Sequence, residues 1–227
     1  MIEYVTPGNI DDRTLTRAAA VLSRGGLLAL PSDTTWIMAC SLKSREGIRR
    51  LRRLSGERDE RYFTLLCSDI SQFGEFCSLD NSRFRIIKRL APGPYVFILK
   101  TQAGIGKALG LRRPELGVRI PNHSVPLTVI KTGGTPLYSI TAKKSMRTEG
   151  TEEFPENEME EGGEETELPR IPEEDLFESG WEIEGIETPD LLILDGGEDM
   201  TRTFSTILDM TGDEIRVLRR GAGPWPV

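Results

Sequence analysis

The 227-residue chain predicts an α/β fold: a twisted mixed sheet with helices packed on it and a basic concave face. Three observations carry this. Helical and apolar-strand patterns alternate as helix, strand, helix, strand before residue 70, the signature of a layered α/β domain. The apolar runs between helices have the length of buried strands rather than of helices. Arginines crowd the outer face of a helical segment that follows a hydroxyl-rich turn, which reads as a site for an anion.

Thr14 to Leu22 places Leu15, Ala18, Ala19 and Leu22 at helical spacing, and Arg24-Gly25-Gly26 ends the run as glycine commonly ends helices. Leu27 to Leu30 is a short buried strand. Pro31 stops it, because proline has no N–H for a ladder and restricts the residue before it. Ser32-Asp33-Thr34-Thr35 then sits at a strand end, where open α/β sheets bind ligands. Such a turn also serves commonly as a plain cap. Ser44 opens a helix with Ile48, Leu51 and Leu54 inward and Arg45, Arg49, Arg50, Arg52 and Arg53 outward; Phe63 to Cys67 is the next strand.

Ser71 to Phe76 is a short helix and Asn81 to Leu90 a clearer one, with Phe84, Ile87 and Leu90 on one face and Arg83, Arg85, Lys88 and Arg89 outside. Pro92-Gly93-Pro94 breaks it before the strand Tyr95 to Leu99. Gly104 to Gly110 is a loop or short helix that lacks the third glycine and the preceding strand of a dinucleotide loop. The strand Gly117 to Ile120, a loop holding His123, the helix Val125 to Lys131 and the strand Leu137 to Thr141 follow. A lone loop histidine reads as a surface residue or a backbone partner rather than a catalyst. Asp190–Leu194, Ser205–Asp209 and Ile215–Leu218 are the last strands, the final one ending in Arg219-Arg220-Gly221.

Between them lies an insert, residues 148–188, within one domain spanning 1–227. From Glu149 to Glu187 there are seventeen acidic residues against Arg170 alone, a charge of −16 in a chain of net −7, so the remainder carries +9. The first half of the insert has too few large apolar residues to repay the entropy of ordering. Its second half, with Leu176, Phe177, Trp181 and Ile183, is expected to dock as a small helix. The basic body allows a polyanionic partner that the overall charge would argue against. No secretory signal or membrane-length apolar run is visible, and three cysteines in or beside apolar runs fit a reducing, cytoplasmic setting. One histidine and no C-x-x-C argue against structural zinc.

Gly25-Gly26…Pro31-Ser32-Asp33-Thr34-Thr35-Trp36-Ile37-Met38-Ala39-Cys40 resembles the signature of the YrdC/YciO family, G-G…P-T-[DE]-T-V-Y-G-L-G-[AC]. Phe63–Cys67, Leu79-Asp80-Asn81, Pro92–Lys100 and Gly117–His123 are similar to the YciO branch in particular. The resemblance covers about residues 5–145 and 188–223. It implies a YrdC-like fold. It also implies either a threonylcarbamoyl-AMP synthase, which joins ATP, bicarbonate and L-threonine with release of pyrophosphate for tRNA modification, or a non-catalytic protein of the YciO type that binds nucleotide, tRNA or double-stranded RNA. Magnesium would accompany ATP, with no protein-bound metal.

By the same resemblance Thr34, Arg119, Ser139 and Ser205 would hold L-threonine. Arg58, Thr141 and Arg219 would hold the nucleotide, and Arg49, Arg52, Arg53 and Arg61 would contact RNA. Arginine suits phosphate because its planar fork grips two oxygens at once. The chain departs from the pattern in four places. Ser55-Gly56 stands where the lysine of K-x-R belongs, and Lys143 replaces the asparagine of S-A-N. Ile37 and Ala39 fill the two glycine positions, and Cys67 takes the place of a histidine near the threonine site.

Overall fold

The computed structural model describes residues 1–56, 63–111, 114–146 and 171–225. Helix α1 (Asp12–Ser23) starts where the Asp11 side chain accepts the Thr14 N–H at 2.9 Å, satisfying one of the orphan donors of a first turn. Gly25 (φ +80) turns the chain into β2 (Leu27–Leu30). A Cβ at Gly26 would lie 2.6 Å from the Asp190 carbonyl, so the strand can enter at this closeness only with glycine there. Helix α2 (Arg45–Ser55) is capped by Ser44, whose hydroxyl accepts the Gly47 N–H, and ends on Gly56 in the left-handed region.

Among the described residues ten strands form one continuous sheet. They are β1 (Ile2–Tyr4), β2, β3 (Ile37–Ser41), β4 (Thr64–Leu66), β5 (Tyr95–Lys100), β6 (Glu115–Arg119), β7 (Leu137–Thr141), β8 (Leu191–Asp195), β9 (Thr206–Asp209) and β10 (Arg216–Arg219). Their order across the sheet is β1-β8-β2-β3-β7-β4-β6-β5-β9-β10. Parallel pairs (β1–β8, β2–β8, β4–β6, β5–β9) and antiparallel ones (β2–β3, β3–β7, β4–β7, β5–β6, β9–β10) are mixed, as the sequence predicts. Strands β1 and β3 are additions to the sequence reading. Strand β1 has only three residues and finds its partner near residue 193. In β3 the run Ile37-Met38-Ala39-Cys40 is buried on both faces and shows no alternation.

One face of the sheet is fully clothed. Ile48, Leu51 and Leu54 of α2 pack with Met38, Cys40, Leu65 and Tyr138, and α3 (Ile70–Phe76) and α4 (Asn81–Leu90) add Phe73, Ile87 and Leu90 against Phe97 and Val118. On the opposite face α1 and α6 (Ser124–Gly133) cover only the half made by β8, β2 and β3, joining Leu15, Val21, Val125 and Ile130 to Leu28, Leu30, Ile37 and Leu192. Each fully buried leucine contributes roughly 1.5–3 kcal/mol relative to exposure. Over the rest of that face, Leu66 and Leu137 continue the same cluster at its edge, and beyond them Val96, Ile98 and Ile207 form a small one beside a cleft.

Of the acidic insert, residues 147–170 lie outside the described residues. The returning part docks as expected, in two 3-10 turns (Glu173–Asp175 and Gly180–Gly185): Leu176, Phe177 and Ile183 are buried while Trp181 is exposed. Its anchor is Asp175, which accepts the Ser145 N–H at 2.7 Å and the Ser145 hydroxyl at 2.6 Å. Among the described residues no helix is long and apolar enough to cross a membrane.

Candidate functional site

The open half of the sheet holds a cleft. Strand alternation decides its lining. Phe63, Leu65 and Cys67 point into the helix-covered core, so Thr64 and Leu66 face the cleft. Likewise Met38 and Cys40 face α2, and Ile37 faces the cleft beside its cross-strand partner Thr141. Arg119 at the end of β6, Ser139 on β7, Ser205 before β9 and Arg219 on β10 complete the wall.

Arg119 dominates one end and is 5% exposed. It donates to Asp33 Oδ1 at 2.6 Å and, from both terminal nitrogens, to Thr34 Oγ1 at 3.2 Å. Burial pushes its pKa down and the Asp33 carboxylate opposes the shift, so the guanidinium meets its counter-charge in a dry place. Among the described residues Asp33 Oδ2, Thr35 Oγ1 and Arg119 Nε find no hydrogen-bond partner. Ser32 holds the turn that presents Thr34: its hydroxyl donates to the Thr35 carbonyl at 2.6 Å and accepts the Thr34 and Thr35 N–H groups. The SDTT turn is therefore both a self-capped turn and the support of an arginine.

At the other end Arg219 lies with its Cζ 5.0 Å from the Phe204 ring centroid and donates from Nε to the Ser205 carbonyl at 3.2 Å. Stacking on an aromatic face fixes a guanidinium without using up all its donors. From β6 to β10 there are three strand spacings, so the two arginine backbones stand about 14 Å apart. Val96 and Ile207 form an apolar floor between them.

Five of the residues named from the sequence thus meet in one cleft: Arg119, Ser139, Thr141, Ser205 and Arg219. Thr34 stands behind Arg119, 1% exposed. Ser139 spends its hydroxyl on the Thr64 carbonyl at 2.9 Å, which ties β7 to β4. Arg58 and Arg61 lie outside the described residues. Lys143, two positions beyond Thr141, is buried, its backbone bridging to Leu176.

Two expectations are corrected, and the reading of His123 as a backbone partner holds. The arginines of α2 do not share a face with the hydroxyls, because α2 packs on the opposite side of the sheet from the cleft. There Arg49 pairs with Glu46 at 2.7 Å, Arg53 is exposed, and Arg52 lies over the stacked rings of Phe63 and Tyr138, at 5.9 and 5.8 Å. Arg52 is a brace of the helix, so a basic face built on α2 is not the face of the cleft. Cys67 belongs to the core, its thiol pushed up by burial, and does not reach the site. His123 is the cap of α6: its Nδ1 accepts the Val125 N–H at 3.3 Å.

Sequence reasoning passed over Thr64 as a member of the site, and it placed Asp33 in the strand-end turn without finding its pairing with Arg119. The alternation Phe63-Thr64-Leu65-Leu66-Cys67 carried a signal for Thr64. For that pairing nothing local did, since the arginine is 86 residues away. Among the described residues no group of three His, Cys, Asp or Glu side chains could hold a metal ion.

Comparison with known proteins agrees with this architecture. The Sua5–YciO–YrdC family pattern, described as telomere recombination, matches residues 20–158. The chain is 28% identical over 221 residues to the YciO protein of Escherichia coli (strain K12), covering 97% of this chain and 95% of that one. It is 27% identical over 142 residues to the threonylcarbamoyl-AMP synthase of Rattus norvegicus, covering 62% of this chain and 50% of that one. The crystal structure of E. coli YciO superposes with a TM-score of 0.75 at 25% identity, over 100% of this chain and 98% of that one. P. abyssi Sua5 complexed with L-threonine gives the same TM-score, 0.75, at 19% identity over 97% of this chain and 57% of that one, a likeness of fold. The open sheet, its paired arginine turn and these matches lead to one conclusion: the chain belongs to the Sua5/YciO/YrdC family and is related to the threonylcarbamoyl-AMP synthases.

Proposed function

We propose that the cleft binds a small amino acid at the Arg119 end and a nucleotide toward Arg219, and joins them as threonylcarbamoyl-adenylate from L-threonine, bicarbonate and ATP. The observation that carries this reading is the pair of arginines at the two ends of one hydroxyl-lined cleft. Arg119 would take the carboxylate, with Thr34 and Asp33 fixing its orientation. Arg219 and the Thr141 hydroxyl would take phosphate oxygens, and Ser205 lies at that end, its carbonyl accepting the Arg219 Nε–H. The amine condenses with bicarbonate with loss of water, and a carbamate oxygen attacks the α-phosphorus as pyrophosphate leaves. Such transfer asks the protein chiefly for positioning and for neutralising charge on oxygen. Magnesium, in this reading, would enter with ATP and supply positive charge against the phosphate oxygens.

A second reading has its own support. Arg119 already spends its terminal nitrogens on Asp33 and Thr34, and Ser139 spends its hydroxyl on Thr64. Meanwhile Arg45, Arg49, Arg53, Arg85, Lys88 and Arg89 are exposed on the helix-covered side. A protein that binds tRNA or double-stranded RNA through those helices without turnover fits this. Pyrophosphate release with ATP, magnesium, bicarbonate and L-threonine separates the two. Threonine-dependent release supports the synthase. No release, together with salt-sensitive RNA binding lost on charge reversal of Arg85, Lys88 and Arg89, overturns it in favour of the second.

A further inference from the structure

The two arginine ends of the cleft are joined by an unbroken run of contacts along its rim. Arg119 donates to Thr34 Oγ1 at 3.2 Å. The carbonyl of the same Thr34 accepts twice from the segment before β9: from the Thr201 hydroxyl at 3.0 Å and from the Thr203 N–H at 3.2 Å. The next two residues belong to the far end. Phe204 lies under the Arg219 guanidinium, and the Ser205 carbonyl accepts its Nε–H. Between Thr201 and Thr203, Arg202 adopts φ 52°, a left-handed conformation that a non-glycine residue takes only at a cost. That bend is what lets both neighbours converge on one carbonyl.

We infer that the segment Thr201–Ser205 is a coupling element, and Thr201 a positioning residue, through which the state of Arg119 is felt at Arg219. A coupled rim makes an amino-acid carboxylate at one end and a phosphate at the other bind in concert. This assignment of ligands rests on the proposed function; the mechanical link does not. A ligand carboxylate at Arg119 would compete with Thr34 Oγ1 and Asp33 for the same donors, and that competition would give the Arg119–Thr34 pair its second arrangement. Releasing Thr34 shifts the carbonyl on which Thr201 and Thr203 hang, and with it the ring supporting Arg219. A physical network with a movable member is the minimum that coupling requires.

The test needs no ligand. Amide hydrogen exchange is followed at Thr203, which donates to Thr34, and at Ala222, whose N–H donates to the Phe204 carbonyl at 2.7 Å on the Arg219 side. In Arg119→Lys, exchange at both is expected to rise about threefold to tenfold, the effect of one lost hydrogen bond. Amides of Leu28 and Ala29 in the core should not change. Adding Thr201→Val should cut the response at Ala222 to less than half. Should Arg119→Lys fail to fold, Thr34→Val delivers the same perturbation from the next residue. Unchanged exchange at Ala222, or a response indifferent to Thr201→Val, overturns the inference. In parallel, calorimetry on the full chain should show L-threonine tightening ATP–magnesium binding in wild type and much less so in Thr201→Val. If wild type binds neither, the proposed function falls, and the exchange data still decide the coupling.

Discussion

Asp33→Asn removes the charge that faces Arg119 while keeping its shape. The side chains of the pair are 6% and 13% exposed, with nitrogen and oxygen 2.6 Å apart. Charge centres about 4 Å apart at an effective dielectric near 20 attract by about 4 kcal/mol. Neutralising one partner of a buried pair costs about 3–5 kcal/mol, because the other charge is left in a dry place. The surviving bond from Arg119 to the amide oxygen keeps the loss at the lower end, about 3 kcal/mol. For a chain of this size that is a fall in melting temperature of roughly 6–12 °C. Chemical denaturation of wild type, Asp33→Asn, Arg119→Met and the double variant is the assay. The double variant should recover at least about 2 kcal/mol relative to the sum of the singles. A loss below about 0.5 kcal/mol in Asp33→Asn, the range of solvent-exposed pairs, would refute the claim that the site is dry and the pair organises it.

Arg52→Ala removes a guanidinium stacked over Phe63 and Tyr138 and is expected to cost about 1–2 kcal/mol in denaturation; an unchanged midpoint would show that the brace carries no load. His123 is half-buried with its pKa pushed down by burial, Glu198 and Asp33 opposing, so the folded state binds fewer protons than the unfolded one. Stability from this group is complete above the ordinary histidine range near 6.5 and is lost as pH falls from there toward the lower folded value. His123→Asn keeps a capping side chain and should flatten that slope on the acid side of about pH 6.5, whereas an unaltered slope would assign it to other groups. The lowered carboxylates of Asp69 and Asp209 act in a separate window, below 3.8, where their protonation withdraws stability. Deleting residues 149–170 is expected to leave the melting temperature nearly unchanged, because Ser145 and Asp175 hold the two ends together without them; a large fall in thermal scans would show that the acidic stretch contributes to folding.

Local pattern was enough for the elements that local forces make. Ser44 capping α2 and the glycine stop of α1 stand where spacing and caps put them, since each rests on interactions within a few residues. Charge counting separated the acidic stretch from the basic body in the same way. The resemblance drew Arg119, Ser139, Thr141, Ser205 and Arg219 together, and the structure collects all five in one cleft. What the sequence could not decide was sidedness. The turn Ser32–Thr35 and the arginines of α2 are neighbours in the chain, yet one lies at the cleft and the other across the sheet. The direction in which a helix leaves a strand, and hence the face it covers, is set by which cores it fills. Strand β3 was hidden for a related reason: its identity comes from pairing with β2 and β7, not from its own alternation. The Arg119–Asp33 pair and the link from Thr34 through Thr201 to Arg219 join residues 86 and 167 positions apart. Contacts at such separations exist only once the sheet has closed, so it is the tertiary structure that turns scattered hydroxyls and arginines into a site.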